Sequence, residues 1–440
     1  MTQQEALEIL KLGHNIYLTG AAGTGKTHTL NAYLEHLKRH RVVVGITAST
    51  GIAATHLGGM TIQSWSGMGN LETVYKEDLE HLQQKLYLKL RYLGAKVLLI
   101  DEISMLHAYQ LDIINRLCKT FKSNALPFGG MQVILCGDFF QLPPVNKYRE
   151  RSYFAFESKA WEEANLRICY LDKAYRHADK DFITLLNAVR ANHVTDAELS
   201  ILVRALGQEI PSYIVPTRLY PHNVDVDAIN AQELSSIDEK EHTYMMHGKG
   251  PGALVEGLTK GCLAPEKLVL KKKAQVMFVK NNPRMGYVNG TRGKIVDFDH
   301  EGFPIVELVT KRRIAVRPEK WSIIENNIPK AHIQQLPLRL AWAITIHKSQ
   351  GMTLDAAEID LSKSFVHGMG YVALSRVRSL KGMRLLGVNE MALQVDPDIL
   401  EVDKELRTES AKAVEELKSQ SWWTRFWKKR QFMTDLTSKY

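Results

Sequence analysis

Short apolar runs alternate with amphipathic stretches along the first third of the chain. Apolar residues recur every three or four positions after Lys26 and from Met105 to Phe121, which predicts helices. Short buried strands that alternate with helices are typical of a parallel α/β sheet. The pattern therefore predicts a first α/β domain over residues 1–165. Its predicted strands are residues 15–19, 42–47, 96–101 and 131–137.

A different pattern begins near residue 166. Helical spacing continues to about Leu206. The run from Tyr213 to Val215 is β-branched and aromatic and lies between two prolines, which predicts a strand. Residues 235–265 are polar and glycine-rich, which predicts a loop.

The last part of the chain returns to α/β character after a segment rich in turn signals. From Ala274 to about Trp321, short strands separated by turns predict a small β-barrel. The α/β pattern resumes at Leu338 and ends near Val388. We predict a second α/β domain over residues 166–400, with a β insertion at about 280–335. Residues 401–440 form a C-terminal extension.

Composition narrows the function only a little. The chain has 440 residues, of which 45% are hydrophobic and 24% charged, and its formal net charge is +9. A basic excess suits a polyanionic partner but does not decide for nucleic acid. No apolar run is long enough to span a membrane and no secretory signal is visible, so no membrane partner is expected. The four cysteines are widely scattered, which predicts reduced thiols rather than disulfides or a zinc site.

The first chemical motif follows the first predicted strand and opens a helix. Residues 20–27 read Gly-Ala-Ala-Gly-Thr-Gly-Lys-Thr, which fits the phosphate-binding pattern GxxxxGK[ST] in the context that it requires. Glycines let backbone N–H groups close around phosphate oxygens, and the helix N-terminus adds partial positive charge. Lys26 is expected to reach the β- and γ-phosphates, and the Thr27 hydroxyl to bind Mg²⁺. The other predicted nucleotide contacts in this loop are Gly20, Gly23, Thr24 and Gly25.

Two further strands end in polar groups that suit the same chemistry. Residues 97–100 form an apolar run that ends in Asp101 and Glu102. Acids at the carboxyl end of a buried strand point into the ligand crevice of an α/β sheet. We expect Asp101 to hold Mg²⁺ and Glu102 to orient and deprotonate the attacking water. Gln141 follows the strand that ends near Gly137, and we expect it to bond the γ-phosphate or that water.

With these motifs in place, the chain resembles the Pif-type (petite integration frequency) DNA helicases of superfamily 1B. The resemblance runs from Gln3 to about residue 390. The segments that carry it read Thr-Ala-Ser-Thr-Gly-Ile-Ala-Ala at 47–54, Gly-Asp-Phe-Phe-Gln-Leu-Pro-Pro at 137–144, Tyr-Phe-Ala-Phe-Glu-Ser-Lys-Ala-Trp at 153–161, Thr-Ile-His-Lys-Ser-Gln-Gly at 345–351 and Tyr-Val-Ala-Leu-Ser-Arg-Val-Arg at 371–378.

The resemblance implies two tandem RecA-like domains, the second with an SH3-like β insertion, and a small wedge region at about 66–90 in the first. It implies ATP-dependent 5′-to-3′ translocation on single-stranded DNA with unwinding of duplex or forked DNA, and Mg²⁺ as the metal. Gln3, or alternatively Gln4, matches the adenine-reading glutamine, and Tyr175 matches the aromatic residue that stacks on the base. The remaining matches in the nucleotide site are Gly351 and two arginines expected to reach the γ-phosphate from beyond the first domain, Arg176 and Arg376.

Single-strand contacts are also carried over from the resemblance. Three positions depart from the family pattern: Gln63 replaces a frequent histidine, Lys273 replaces a usual glycine, and residues 368–370 lack a frequent glutamine. These departures affect details of DNA contact and not the ATPase. The predicted DNA-binding residues are Thr47, Ser49, Thr50, Gly51, Thr61, Gln63, Ser64, Trp65, His347, Lys348 and Ser349.

Several alternatives stay open at this point. Trp65 can stack on a base or pack in the core. The same scaffold can serve an RNA-remodelling ATPase, because the sequence does not display tolerance of the 2′-OH. A nucleotide-dependent switch that binds only a protein partner is the third hypothesis. G-quadruplex DNA is an open partner. A monomeric, cytoplasmic and nucleoid-associated motor of bacterial or phage origin is expected.

The C-terminal extension also has more than one interpretation. Its residues 421–432 read Ser-Trp-Trp-Thr-Arg-Phe-Trp-Lys-Lys-Arg-Gln-Phe, so aromatic and basic residues interleave. That composition suits stacking on a single strand, a membrane surface or a partner groove. The preferred interpretation is a helix that packs its tryptophans back on the rest of the protein.

Overall fold

The chain folds into two compact units. The computed structural model describes residues 1–69, 71–144, 153–173, 179–210, 216–280, 282, 284–287, 291–308, 310–325, 328–354 and 356–438. Unit 1 comprises Met1–Ile201, Phe365–Ser375 and Glu390–Tyr440, and unit 2 comprises Leu202–Ser364 and Arg376–Asn389. Unit 1 therefore contains two segments from late in the chain. The domain boundaries expected from the sequence stay predictions.

Helices are distributed over the whole chain. None of those within the described residues combines the length and apolar character needed to cross a membrane. In chain order they are α1 (Gln3–Lys11), α2 (Lys26–Arg39), α3 (Gly51–His56), α4 (Ile62–Ser66), α5 (Lys76–Gln83), α6 (Leu86–Gly94), α7 (Ala108–Lys122), α8 (Lys159–Glu163), α9 (Lys180–Arg190), α10 (Asp196–Ala205), α11 (Asn223–Ser235), α12 (Gly252–Gly261), α13 (Ile346–Ser349), α14 (Met369–Ser375), α15 (Pro397–Ser419) and α16 (Trp422–Thr437).

Unit 1 is built on a parallel sheet. Its strands are β1 (Ile16–Gly20), β2 (Val44–Ala48), β3 (Met60–Thr61), β4 (Val97–Asp101), β5 (Gln132–Cys136) and β6 (Arg167–Leu171). Within the described residues they are ordered β3-β2-β4-β5-β1-β6, and every pairing is parallel. Every residue of β1 and β5 is buried, as expected for strands that are covered by helices on both faces. The predicted parallel α/β fold is confirmed.

Unit 2 combines a parallel sheet with antiparallel ones. Its strands are β7 (Thr217–Tyr220), β8 (His242–Met245), β9 (His247–Lys249), β10 (Lys267–Leu270), β11 (Gln275–Phe278), β12 (Arg292–Phe298), β13 (Pro304–Leu308), β14 (Arg313–Ala315), β15 (Glu319–Glu325), β16 (Ile328–Gln335), β17 (Leu338–Leu340), β18 (Ala343–Thr345), β19 (Ala357–Leu361) and β20 (Met383–Val388). The parallel sheet has the order β18-β7-β19-β20.

The β-rich segment of unit 2 forms a sheet with its own core. Strands β14-β13-β12-β11-β17 pair antiparallel in that order, so the short strands expected between Ala274 and Trp321 are present. Their inner faces bury a cluster in which the rings of Phe278 and Tyr287 stack at 4.0 Å. The SH3-like classification of this region stays a prediction.

Two expectations about individual segments are wrong. Residues 167–171, expected to be helical, form strand β6 at the edge of the first sheet, because a short apolar run does not by itself distinguish a strand from a helix. Residues 235–265, expected to be a loop, contain β8, β9 and α12. Their polar, glycine-rich sequence reflects exposed strands that are held by pairing with β10 and β16. The strand expected at 213–215 lies outside the described residues.

Candidate functional site

The phosphate-binding loop connects the carboxyl end of β1 to the start of α2. Gly20 and Gly25 both have positive φ, at 141° and 86°. A Cβ at Gly20 would lie 2.5 Å from the carbonyl oxygen of Leu171, and one at Gly25 would lie 2.0 Å from Nε2 of Gln3. Only glycine fits both positions. Gly25 also serves as the N-cap of α2 without a side-chain hydrogen bond, so the helix N-terminus suits an anion such as phosphate.

Side chains around the loop hold its shape. The Lys26 ammonium donates to the carbonyl oxygens of Gly20 at 2.7 Å and Ala21 at 3.2 Å. The Gln3 amide donates to the carbonyl oxygen of Thr24 at 3.0 Å, whereas Gln4 is exposed. This geometry favours Gln3 over Gln4 as the adenine-reading glutamine.

Two further loop residues, Gly23 and Thr27, are predicted to contact the nucleotide or the metal. Gly23 has a positive φ of 82°, which suits a loop that turns its N–H groups inward. Thr27, the predicted Mg²⁺ ligand, is exposed in the first turn of α2. Both positions are therefore compatible with their predicted roles.

The two carboxylates follow strand β4. Asp101 is its last residue, and Glu102 adopts the left-handed conformation with φ 52°. The Glu102 N–H donates to Oδ1 of Asp101 at 2.9 Å, and the Ser49 hydroxyl donates to the Glu102 carbonyl oxygen at 2.7 Å. Both acids are half-buried, which is compatible with binding a metal and an attacking water.

Strand β5 brings these segments together because it lies between β4 and β1 in the sheet. Its last residue, Cys136, is fully buried, and that burial raises the pKa of its thiol. The Asp101 and Glu102 carboxylates raise this pKa further, while the Lys26 ammonium lowers it. The phosphate loop and both acids are therefore near the same thiol. The loop, the two carboxylates and the end of β5 lie together at the carboxyl edge of the sheet.

Gln141 completes this edge. It is buried, and its Nε2 lies 3.4 Å from Oδ2 of Asp138. Its Oε1 is buried without a hydrogen-bond partner among the described residues. Leaving a buried acceptor unsatisfied costs about 1–3 kcal/mol, so the site favours a ligand that donates a hydrogen bond to Oε1. A water molecule attacking a phosphate has the required O–H group.

Beside Gln141 lies a buried ion pair that the sequence analysis did not identify. Asp138 is fully buried, and Nη1 of Arg190 donates to both of its carboxylate oxygens at 2.8 Å. Burial opposes ionisation of Asp138, but the Arg190 guanidinium outweighs that effect and holds the pKa of the carboxyl below its usual value. The guanidinium also lies over the Phe140 ring, 4.0 Å from its centroid. Arg190 therefore neutralises a charge in the core of the site.

Tyr371 links this ion pair to the phosphate loop. Its hydroxyl accepts from the Ala22 N–H at 3.0 Å and from Nη1 of Arg190 at 3.1 Å, and it lies 3.4 Å from Oδ2 of Asp138. Nη2 of Arg190 donates to the Tyr170 hydroxyl at 2.8 Å. One hydrogen-bonded cluster thus joins the loop to β5, β6, α9 and α14.

The sequence contained a signal for Arg190. It lies on the apolar face of α9, whose other buried residues are Phe182, Leu185, Leu186 and Val189. A charged residue at helical spacing with buried apolar residues requires a buried partner. Tyr371 opens the segment 371–378 that carries the resemblance, but its contacts could not be predicted, because its partners come from distant parts of the chain.

Three of the predicted DNA contacts are corrected by burial. Trp65 is only 4% exposed, its ring packs 4.9 Å from that of Tyr92, and a Cβ at Gly45 would touch it, so Trp65 is a core residue. Thr47 is fully buried and donates to the Leu99 carbonyl oxygen at 2.6 Å. Ser349 is fully buried and donates to the Ile346 carbonyl oxygen. None of these three side chains is accessible to a DNA strand.

The remaining predicted contacts in unit 1 are at least partly accessible. Thr50 and Thr61 accept from backbone N–H groups in the first turns of α3 and α4. Ser64 is exposed and Gln63 half-buried. Ser49 and Gly51, beside Thr50, are half-buried as well. They stay predictions.

Besides Ser349, four predicted residues belong to unit 2. Gly351 is exposed, and Lys348 is half-buried with its ammonium 3.2 Å from Oδ1 of Asn223. Burial, with His222 nearby, lowers the pKa of His347, which keeps that imidazole neutral at neutral pH. Arg376 is 2% exposed, and its Nη1 lies 3.4 Å from the Met352 carbonyl oxygen. Tyr175 and Arg176 lie outside the described residues.

Thr27 and Asp101 are the residues predicted to bind Mg²⁺. Within the described residues, no group of three or more His, Cys, Asp or Glu side chains could hold a metal ion by itself. Thr27 and Asp101 fit a Mg²⁺ whose other ligands are phosphate oxygens and water, the mode that Mg²⁺ prefers in NTPases.

The tryptophans of the C-terminal extension do not pack on the rest of the protein as expected. Trp422, Trp423 and Trp427 are all exposed, whereas Phe432, Met433 and Leu436, later in α16, pack against the core of unit 1. The preferred interpretation, a helix that packs its tryptophans on the rest of the protein, is therefore wrong.

Two protein-family models match parts of the chain. Residues 3–199 match the model described as PIF1-like helicase. Residues 254–298 match the model described as DNA helicase Pif1, 2B domain. The two matches fall on the part that carries the phosphate loop and on the β-rich part of unit 2.

Individual relatives extend the similarity over most of the chain. The ATP-dependent DNA helicase Pif1 of Psychrobacter sp. is 42% identical over 95% of this chain and 73% of its own length. The crystal structure of Pif1 helicase from Candida albicans is 33% identical, has a TM-score of 0.81, and covers 92% of this chain and 98% of that one. The Bacteroides Pif1 structure in complex with ADP-AlF3 and ssDNA is 30% identical with a TM-score of 0.69, over 92% and 97%. The chain spans only 62–64% of the length of five vertebrate relatives.

Replacing Arg190 tests the buried ion pair. Arg190→Met should lower the free energy of unfolding by about 3–5 kcal/mol, because Asp138 is then left buried without its cation. Arg190→Lys keeps the charge but loses the forked geometry, so its loss should be smaller. Urea unfolding followed by tryptophan fluorescence measures both. The control is Arg39→Met, which removes an exposed pair with Glu35 and should change stability by about 1 kcal/mol or less.

The same pair predicts a pH dependence. The pKa of Asp138 is lower in the folded than in the unfolded protein, so its stabilisation is fully present above the unfolded value, near 3.8. It is lost as the pH falls through the lower folded value. Equal unfolding midpoints for Arg190→Met and Arg39→Met at neutral pH would contradict the assignment.

Proposed function

The chain belongs to the PIF1-like helicase family, whose curated members are ATP-dependent DNA helicases, and from that premise we propose that it moves 5′ to 3′ along single-stranded DNA and unwinds duplex or forked DNA. The observation that carries the proposal is the convergence of the phosphate loop, the two carboxylates and Gln141 at one edge of the sheet. That arrangement suits hydrolysis of a nucleoside triphosphate. The Bacteroides relative that binds ADP-AlF3 and ssDNA supports it.

Each residue of the proposed site has a role in positioning or charge compensation. Lys26 and the N-terminus of α2 bind the phosphates, and Glu102 accepts a proton from the attacking water. Gln141 orients that water through its unpartnered Oε1. Mg²⁺, when bound by Thr27 and Asp101, neutralises part of the phosphate charge. Little covalent chemistry is required of the protein, so placement dominates the rate.

Two arginines are proposed to act on the γ-phosphate. Phosphoryl transfer leaves charge spread over phosphate oxygens, which a guanidinium neutralises in a forked geometry. Arg376 is proposed for this role. Arg176 and the base-stacking Tyr175 are proposed on the family pattern.

The proposed strand contacts are the accessible members of the predicted set. Short polar side chains and backbone N–H groups contact phosphates without reading sequence, which suits a motor that must pass over every base. We also propose that the protein acts on DNA as a monomer. The proposed contacts are Ser49, Thr50, Gly51, Thr61, Gln63, Ser64, His347 and Lys348.

Glu102→Gln isolates the general base. The amide cannot accept the proton of water, so turnover should fall by about 10²–10⁴-fold while ATP binding is kept. DNA-stimulated phosphate release and binding of a fluorescent ATP analogue measure the two properties. Glu405→Gln, the same change at an exposed position of α15, is the matched control and should behave as the parent. Parental turnover in Glu102→Gln would remove Glu102 from this role.

Arg376→Ala and Arg376→Lys test the proposed arginine. An arginine that neutralises transition-state charge is worth about 10³–10⁵-fold in rate in well-studied NTPases, so both variants should lose most turnover. Nucleotide affinity should persist through the phosphate loop. Thermal unfolding serves as the control, because Arg376 is nearly fully buried. A folded Arg376→Lys protein with near-normal turnover would refute the proposal.

Strand displacement tests polarity and substrate. The protein should separate a DNA duplex that bears only a 5′ single-stranded tail and leave one with only a 3′ tail intact. The loading strand should be replaced by RNA in a matched set. Unwinding from the 3′ tail alone would reverse the proposed direction, and preference for the RNA strand would favour the RNA-remodelling alternative.

A further inference from the structure

The last helix, α16, is attached to the rest of unit 1 through residues 429–436. The Phe432 ring lies against Gly13, where a Cβ would come within 2.6 Å of it. Leu436 is 9% exposed and belongs to the unit 1 core. The Lys429 ammonium pairs with Glu8 of α1. These contacts hold the helix in a defined orientation on α1.

The first two turns of the same helix carry four large aromatic rings exposed to solvent. Trp422, Trp423, Phe426 and Trp427 are 59%, 64%, 41% and 57% exposed. The rings contact one another, with centroids 4.5 Å apart for Trp422 and Trp423 and 5.6 Å apart for Phe426 and Trp427. They form one continuous surface, which we call the aromatic face. Contiguous exposed apolar surface of this kind marks an interaction site.

Positive charge surrounds the aromatic face. Arg425 lies between the rings in sequence and Lys428, Lys429 and Arg430 follow them directly, and residues 421–434 contain no aspartate or glutamate. The Arg430 guanidinium lies 5.5 Å from the centre of the Trp427 ring. The charge continues onto neighbouring helices: burial lowers the pKa of His36 to about 4, and Lys11, His40, Lys429 and Arg39 add to that shift. Cations from α1, α2 and α16 thus lie close together.

We propose that the aromatic face of α16 is an accessory binding site for single-stranded DNA, with bases stacked on the tryptophans and phosphates bound by Arg425, Lys428 and Arg430. Flat rings with cations between them match the alternation of bases and phosphates along a strand. A helix on a membrane surface combines the same aromatic and basic residues, so binding to lipid vesicles is one outcome of the test. This proposal rests on the proposed function, in which single-stranded DNA is the substrate of the helicase.

The accessory site is separate from the nucleotide chemistry. Gly13 precedes β1, so α16 packs near the amino end of that strand, whereas the phosphate loop follows its carboxyl end. The five residues of β1 separate the two by about 16 Å at the usual rise of a strand. A change in the aromatic face should therefore alter DNA affinity without altering ATP hydrolysis in the absence of DNA.

The experiment compares the full-length parent with the triple variant Trp422→Ala/Trp423→Ala/Trp427→Ala. Fluorescence anisotropy measures binding of labelled oligothymidylate of about 8 and about 40 nucleotides, lengths that cover one or several single-strand sites. The variant should bind the long strand about tenfold more weakly, because stacking on several bases is lost. Binding of the short strand and DNA-free ATPase activity should be unchanged.

Two conservative sets separate stacking from simple apolar contact. Replacing the three tryptophans by Phe keeps flat rings and should restore most of the long-strand affinity. Replacing them by Leu keeps apolar surface but no flat ring, so this variant should not regain the long-strand affinity. Lys428→Gln/Arg430→Gln should reduce the slope of log affinity against log salt by about 2, because each phosphate contact releases counterions.

Several outcomes would overturn the accessory site. Parental long-strand affinity in the Ala variant, together with normal unwinding from a 5′ tail, would refute it and leave the proposed function intact. Full rescue by Leu would show an apolar protein or lipid contact instead. Binding of the parent, but not the Ala variant, to phosphatidylglycerol vesicles with no change in DNA affinity would assign the face to a membrane surface.

Discussion

The buried ion pair between Asp138 and Arg190 is the interaction on which the candidate site depends. A carboxylate in the core is tolerated only if a cation and hydrogen bonds compensate its lost hydration. Arg190 supplies both, and Tyr371 adds the bond that reaches the N–H of Ala22 in the phosphate loop. Because these residues come from the segment after β5, from α9 and from α14, the ion pair and its hydrogen bonds connect segments that are far apart in sequence. Gln141 and the loop are held in place by the same cluster.

The parallel sheet explains why the chemistry collects where it does. Strands that run in one direction end at one edge, and β4, β5 and β1 are neighbours there. Acids, amide and phosphate loop therefore meet although they are separated by up to about 120 residues of chain. Cys136, the last residue of β5, lies close enough to Asp101, Glu102 and Lys26 for all three charges to shift the pKa of its thiol. Helix α16 packs through Phe432 near the amino end of β1, away from these groups.

Residues that the family motifs group together as DNA contacts differ in side-chain burial. Thr47, Trp65 and Ser349 stand in segments that resemble single-strand contacts, yet each is used inside the protein. Thr47 and Ser349 satisfy backbone carbonyls, and Trp65 fills the space left by Gly45. The Trp65 ring supports the segment that presents Gln63 and Ser64. In α16 the reverse holds, because tryptophans expected in the core lie at the surface.

Local sequence was sufficient for the elements whose signal is local. The apolar runs of β1, β4 and β5 and the glycine pattern at 20–25 predicted the parallel sheet and its phosphate loop, since burial on both faces and positive φ restrict residue type at each position. What the sequence left undetermined depends on partners from elsewhere in the chain. Strand β6 needed a place beside β1, the polar strands β8 and β9 needed β10 and β16, and Tyr371 became part of the site only when folding placed it beside Ala22 and Asp138. Side-chain burial at Trp65 and exposure at Trp422 were likewise decided by tertiary packing, because the same ring is stable in either environment when its neighbours allow it.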